Sequence, residues 1–230
     1  MFSDFDWNVI WRSLPYLFRD GMTFTLTLTA VATIGGLLLG TLLALVRLSS
    51  LPVLPRLATA YVNLMRALPL VLVIYLFYFL MPYLGQWVIR SDRPIEFGAV
   101  SSSIVTFTMF EAAYFAEIMR ASIQSVPRGQ SAAASAIGLT YGQSMRYVVL
   151  PQALRNMLPV IFTQTIVLFQ DTSLVYVLSI TDFLGAATKI AQRDGRLTEM
   201  YLFAAAIYFA ISFTASVLVR RLQTRLATPV

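Results

Sequence analysis

Five long apolar stretches divide the chain, over residues 22–46, 57–81, 97–118, 157–180 and 200–219. Each is near the roughly 20 residues that a helix needs to cross a hydrocarbon layer about 30 Å thick. The pattern therefore predicts an all-α integral membrane protein with about five transmembrane helices, whose odd number puts the two termini on opposite sides. One membrane domain, residues 1–230, takes up the whole length. Transporters built from inverted halves usually show internal symmetry, and no such repeat is visible here, so the chain reads as half of a pair.

The polar interruptions are as informative as the spans. In the first stretch, GGLLLG sets Gly36 and Gly40 one helical turn apart, where a second helix can come close. Pro52 and Pro55 punctuate the turn that follows, and Pro69 in MRALPL either kinks the second helix or marks its true start. QDTS, residues 170–173, reads as a break in the fourth helix, because Asp, Thr and Ser offer the backbone alternative hydrogen bonds; a purely structural break fits it as well. The longest interruption, residues 120–155, holds a short helix of its own. Pro127 and Gly129 fit its start, residues 130–137 are rich in alanine, and Gly138 stands where a left-handed C-terminal cap wants glycine. An alanine face lets a backbone press into a groove on another protein, whereas a helix meant only to cover lipid would show Leu or Phe.

Composition excludes more than it assigns. With 58% hydrophobic and 12% charged residues and a mean hydropathy of +0.73, a soluble fold of this size would lack polar surface. The absence of cysteine and histidine removes thiol nucleophiles, disulfides and the usual metal and haem ligands. The eleven acids are scattered, and no glycine-rich loop ends in Lys-Ser or Lys-Thr, so neither a catalytic pair nor a nucleotide-hydrolysing loop is present. No catalytic residue, metal ligand or cofactor site is expected in this chain, and no nucleic acid partner. Residues 1–20 carry Asp4 and Asp6 ahead of any cation and lack a small-residue cleavage site, unlike a secretory signal. Trp7, Trp11 and Tyr16 suit an interfacial segment at headgroup level.

With the N-terminus outside, the inner connections carry nine cations (Arg47, Arg56, Arg120, Arg128, Arg146, Arg155, Arg220, Arg221 and Arg225) and the outer ones seven. The acids separate better, since the inner connections contain none. This orientation makes residues 120–155 a cytoplasmic loop and the C-terminus cytoplasmic. A solute route would keep polar groups that a lipid-facing helix would not, and the candidates are Arg66, Glu111, Gln164, Gln170, Asp171, Thr172 and Ser173. Glu111 and Asp171 lie deepest, where an unpaired carboxylate costs several kcal/mol, while Glu117 stands one turn before Arg120 and can pair with it. On these residues alone, a permease subunit, a self-contained ion-coupled amino acid transporter or channel, and a membrane scaffold all remain open.

The loop itself narrows the choice. Ala133-Ala134, three residues, Gly138, nine residues, Val148, one residue, Leu150 and Pro151 resemble the EAA motif of ATP-binding-cassette (ABC) importer permeases, with every spacing kept. Ala132 departs from the family's usual Glu, and Val148 replaces Ile. GMTFTLTLT, FEAAYFAEIMRASIQSVPRGQ and VLPQALRNMLP resemble the polar amino acid branch of that family, and TQTIVLFQDTSLVYVLSITDFLGAA closely resembles its glutamate/aspartate permeases. The resemblance implies an ABC type I importer permease fold with a short cytoplasmic coupling helix. It assigns coupling to Gly129, Gln130, Ser131, Ala132, Ala133, Ala134, Ala136, Gly138 and Leu139. It further implies a dimer of ATPase subunits holding ATP and Mg, a second permease chain (homo- or heterodimer), a periplasmic solute-binding protein, membrane lipid around the spans, and the bacterial inner membrane as location. Two intramembrane carboxylates favour a cationic solute by Coulomb's law, whereas the likeness points to an acidic one, with Arg66 or the second chain supplying compensating charge.

Overall fold

The computed structural model describes residues 5–49 and 51–226; Asp4 and the first three residues of the expected interfacial segment lie outside them. Helices make up the fold, and no strand occurs among the described residues. Five helical rods are long and apolar enough to cross a membrane, as the hydropathy pattern predicts.

Their boundaries differ from the apolar stretches in instructive ways. Helix α1 (Trp7–Tyr16) starts at Asp6, whose carboxylate accepts a hydrogen bond from Asn8 N at 2.9 Å. It passes through a wider π-helical stretch, Leu17–Met22, into α2 (Thr23–Leu48), so the first rod begins well before residue 22. One face of α1 is buried through Val9 and Ile10, while Trp7 and Trp11 are 66% and 69% exposed. The second stretch is not one span. Helix α3 (Leu54–Ala67) ends at Leu68, which is extended, and α4 (Leu70–Ile89) begins after Pro69. Proline has no N–H to continue the ladder and pushes its predecessor out of the helical region, so it marks a true start and the span shifts from 57–81 to 70–89.

Helix α5 (Ala99–Gln124) is the centre of the molecule, packed against α2, α3, α4 and α8. Phe107 and Phe115 are fully buried along it, and Leu28, Val62, Ile74 and Leu168 come in from its neighbours. Gly36 and Gly40 do what their spacing predicts. A Cβ on Gly40 would lie 2.9 Å from the Ala112 carbonyl oxygen, so α2 and α5 touch backbone to backbone. Tyr61 ties α3 to the same core by donating to the Met109 carbonyl at 2.7 Å.

Beyond α5 come α6 (Arg128–Ala136) and the short α7 (Tyr141–Ser144), which leads through a π-helical turn into α8 (Leu150–Asp171). At Thr172 the chain tightens from α to 3₁₀ geometry over Thr172–Leu178, at the break that QDTS predicts. A ninth helix, α9 (Phe183–Asp194), is too short to span and has no counterpart in the hydropathy reading; it packs against α1 and the last rod, α10 (Leu197–Leu226). Asp182 caps α9, accepting from Leu184 N at 3.0 Å and Gly185 N at 2.9 Å, and Thr25 Oγ1 accepts from Phe183 N. Burial pushes the Asp182 carboxyl up to about 6 against these hydrogen bonds.

Candidate functional site

Helix α6 is delimited by its own sequence. Pro127 holds the extended conformation that precedes the first turn, and Gly138 takes φ +86° just past the last. Gly138 N donates to Ser135 O at 3.0 Å and Leu139 N to Ala134 O at 3.1 Å, the paired bonds of a Schellman end. Thr140 then starts α7 with a reciprocal capping box to Gln143. All nine residues expected to couple lie on this one element or its cap. Ala134 alone among them is buried; Gly129, Gln130, Ser131, Ala132, Ala133, Ala136 and Gly138 are exposed and Leu139 is partly so. A groove of about 760 Å³ runs between α6, α7 and the end of α5, lined by Arg128, Ser131, Ala132 and Tyr141.

The seven candidates for a solute route separate into groups. Arg66, at the end of α3, is 39% exposed at its side chain and stacks its guanidinium over Tyr114, 5.6 Å from the ring centroid. Its Nη1 is 3.6 Å from Glu117, which also binds Arg47 Nη1 at 2.8 Å and Arg120 Nε at 3.0 Å. Glu117 therefore pairs with Arg120 as its spacing predicts, and gathers two further arginines from α2 and α3. Arg66, Tyr114, Glu117, Asn156 and Gln164 line one groove of about 470 Å³ between α5 and α8. Behind it Glu111 is 1% exposed, and its Oε1 accepts from Gln164 Nε2 at 3.1 Å. Asp171, seven residues beyond Gln164 and hence on the same side of α8, lies within electrostatic reach of Glu111.

Gln170 and Ser173 turn the other way. They line a separate groove of about 540 Å³ against α10, where Gln170 Nε2 donates to Ser212 Oγ at 3.0 Å. Thr172 is fully buried and spends its hydroxyl on the Phe169 carbonyl at 2.7 Å, shaping the 3₁₀ turn. Tyr114 and Asn156 in the first groove, and Arg47 in the cluster on Glu117, escaped the sequence reading. Tyr114 gave no signal beyond its position one turn from both Phe110 and Glu117, and Arg47, counted only as an inner cation, has a side chain just 8% exposed. Its seven-residue spacing from Pro-flanked Leu54 carries no clue that it folds onto α5.

Over residues 36–228 the chain matches the family of binding-protein-dependent transport system inner membrane components. It belongs to that family. Relatives agree along the full length of the permease. It is 51% identical over 224 residues to the glutamate/aspartate import permease protein GltK of Escherichia coli O6:H1 (strain CFT073), covering 97% of this chain and 99% of GltK. It is 34% identical over 233 residues to the probable amino-acid ABC transporter permease protein YckA of Bacillus subtilis (strain 168), covering 99% of each. In structure it resembles a chain from the crystal structure of an amino acid ABC transporter with histidines, with a TM-score of 0.85, 32% identity, and coverage of 96% of this chain and 98% of that one. An inward-facing structure of the MetNI methionine ABC transporter shares the fold at 19% identity, with a TM-score of 0.71 over 93% of this chain and 97% of that one. The permease is thus an ABC importer's membrane-spanning transport subunit, in which ATP hydrolysis belongs to a separate subunit. Nothing in these likenesses supports a self-contained ion-coupled transporter or channel.

Proposed function

We propose that the permease imports acidic amino acids, glutamate and aspartate, across the bacterial inner membrane. The observation that supports this most is the 51% identity to GltK across 97% of the chain. The first groove is consistent with it, because the half-exposed guanidinium of Arg66 offers a carboxylate-binding fork beside the Tyr114 ring. In this reading the route runs along Arg66, Gln164 and Asp171 with Glu111 behind, while Gln170 and Ser173 serve contacts with α10 or the second permease chain.

The nine residues of α6 and its cap dock on an ATPase dimer that holds ATP and Mg. Residues 120–155 contain Arg120, Arg128, Arg146 and Arg155 and no acid, so their charge suits an acidic docking surface or anionic headgroups. Closure of the ATPase pair is a rigid-body motion, and a stiff, capped helix transmits it to α5 and α8, which flank it. A solute-binding protein delivers from the periplasmic side, where the N-terminus and α9 lie, and the C-terminus faces the cytosol. The domain boundaries follow: residues 1–20 at the outer interface, residues 120–155 inside, and one membrane domain throughout.

The test is reconstitution of the permease with its ATPase and binding protein in proteoliposomes. ATP-dependent uptake of glutamate, competed by aspartate and not by arginine, is the expected result; uptake of arginine or glutamine alone overturns the substrate assignment.

A further inference from the structure

Resting on that reading of the groove, we propose that Glu111 is a positioning residue. It turns the Gln164 amide so that its carbonyl oxygen faces the route and accepts a hydrogen bond from the α-ammonium group of the passing amino acid.

Glu111 cannot meet the solute itself, since it is 1% exposed. Nor is it held by an ion pair among the described residues: the arginines at this end of the bundle gather on Glu117, six residues further along α5. Among the described residues its side chain has one hydrogen bond, from Gln164 Nε2 at 3.1 Å to Oε1, and its Oε2 has no partner. A buried carboxyl with half its acceptors unused is costly to keep for stability, and an apolar side chain of the same size would avoid that cost. What the residue does achieve is orientation. A primary amide has a donor end and an acceptor end, so drawing Nε2 inward to Glu111 leaves the Gln164 carbonyl oxygen for the groove that this residue lines. The arrangement is tightly built. A Cβ on Gly36 would lie 2.9 Å from Glu111 Cβ, so α2 packs directly against the base of this side chain.

The groove then has chemical polarity. An amide oxygen stands on α8, with the carboxyl groups of Glu111 and Asp171 nearby, and the Arg66 guanidinium stands at the end of α3. An amino acid fits with its ammonium toward Gln164 and a carboxylate toward Arg66. This removes the conflict between intramembrane carboxyl groups and an acidic solute. The carboxyl groups act on the ammonium end that every amino acid carries, and they act through an intervening neutral amide.

The test is a double-mutant cycle on the complete importer in proteoliposomes, reading glutamate uptake and binding-protein-stimulated ATP hydrolysis on the same samples. Glu111→Leu is expected to lower uptake about fivefold to tenfold, the weight of one hydrogen bond, with hydrolysis within about twofold of wild type. Gln164→Leu is expected to match it, and the double variant to be no worse than either. Glu111→Gln keeps an acceptor for Gln164 Nε2 and is expected to retain uptake. Should Glu111→Leu fail to assemble, Gln164→Glu is compared alone and together with Glu111→Gln; the exchanged pair restores uptake that the single change loses. Additive losses in the double variant, a Glu111→Gln as impaired as Glu111→Leu, full uptake by Glu111→Leu, or no recovery in the exchanged pair each overturn the proposal. An importer that carries a different amino acid overturns only the substrate assignment. The same cycle on that solute still decides the role of Glu111, because the α-ammonium is common to all.

Discussion

Replacing Gly40 with alanine tests whether α2 and α5 are held at backbone contact. The added Cβ would lie 2.9 Å from the Ala112 carbonyl oxygen, 2.9 Å from Phe115 Cβ and 3.1 Å from Ala116 N. Carbon contacts settle at about 3.5–4.0 Å, so the helices must part by roughly 0.5–1 Å. The obstructing atoms are two backbone atoms and a Cβ, none of which can swing aside. Overpacking of this kind costs about 1–3 kcal/mol, and the helix-propensity gain of alanine over glycine offsets at most about 1 kcal/mol. The net loss of up to about 2 kcal/mol corresponds to a fall of up to about 8 °C in the melting temperature of a chain this size. Gly129 is the control, since a Cβ there meets nothing within 4 Å. Thermal melts of the purified complex followed by tryptophan fluorescence suit this protein, because a chain without cysteine gives thiol dyes nothing to label. If Gly40→Ala melts as high as Gly129→Ala, the close α2–α5 approach is wrong.

Three further outcomes are expected. Gly138→Val places a β-branched side chain at φ +86°, a strain of about 1–2 kcal/mol, and should unravel the end of α6. Less ATPase should then co-purify while the amount of permease in the membrane is unchanged; equal capture refutes the docking role. For Asp182, burial raises the folded pKa from 3.8 to about 6, so the fold favours the protonated acid. The stability this contributes is complete below about pH 4 and is lost as pH rises through about 6, a change of about 3 kcal/mol. Asp182→Asn removes the charge while its single amide oxygen keeps one of the two cap hydrogen bonds, and should flatten the dependence of the melting temperature between pH 4 and 6. Glu117→Gln leaves Arg47, Arg66 and Arg120 crowded without a countercharge. A loss of about 1–3 kcal/mol is expected, partly recovered at high salt, and an unchanged melt at low salt would argue against the cluster.

The sequence by itself determined much of what depends on local chemistry or on solvent. Twenty apolar residues must be helical in lipid whatever surrounds them, so the five spans are countable from the hydropathy pattern alone. Proline and glycine act on their own backbone, which made the ends of α6 readable from Pro127 and Gly138, and QDTS marked the break at Thr172, though not its 3₁₀ geometry. Gly36 and Gly40 announced a close helix contact without naming its partner. Only the tertiary structure decided the pairings. Hydropathy cannot distinguish a rod that starts at Trp7 from one that starts at residue 22, nor choose between a kink and a fresh start at Pro69. The short α9 is too polar and too brief to register, although Asp182 ahead of Phe-Leu-Gly is a readable cap. The seven-residue step from Gln164 to Asp171 places both on one side of α8, away from Gln170. That this side meets Glu111 on α5, and the other meets Ser212 on α10, depends on how helices distant in sequence pack. Arginine charge is long-ranged and its side chain is long, so the sequence could count Arg47, Arg66 and Arg120 but not gather them on Glu117.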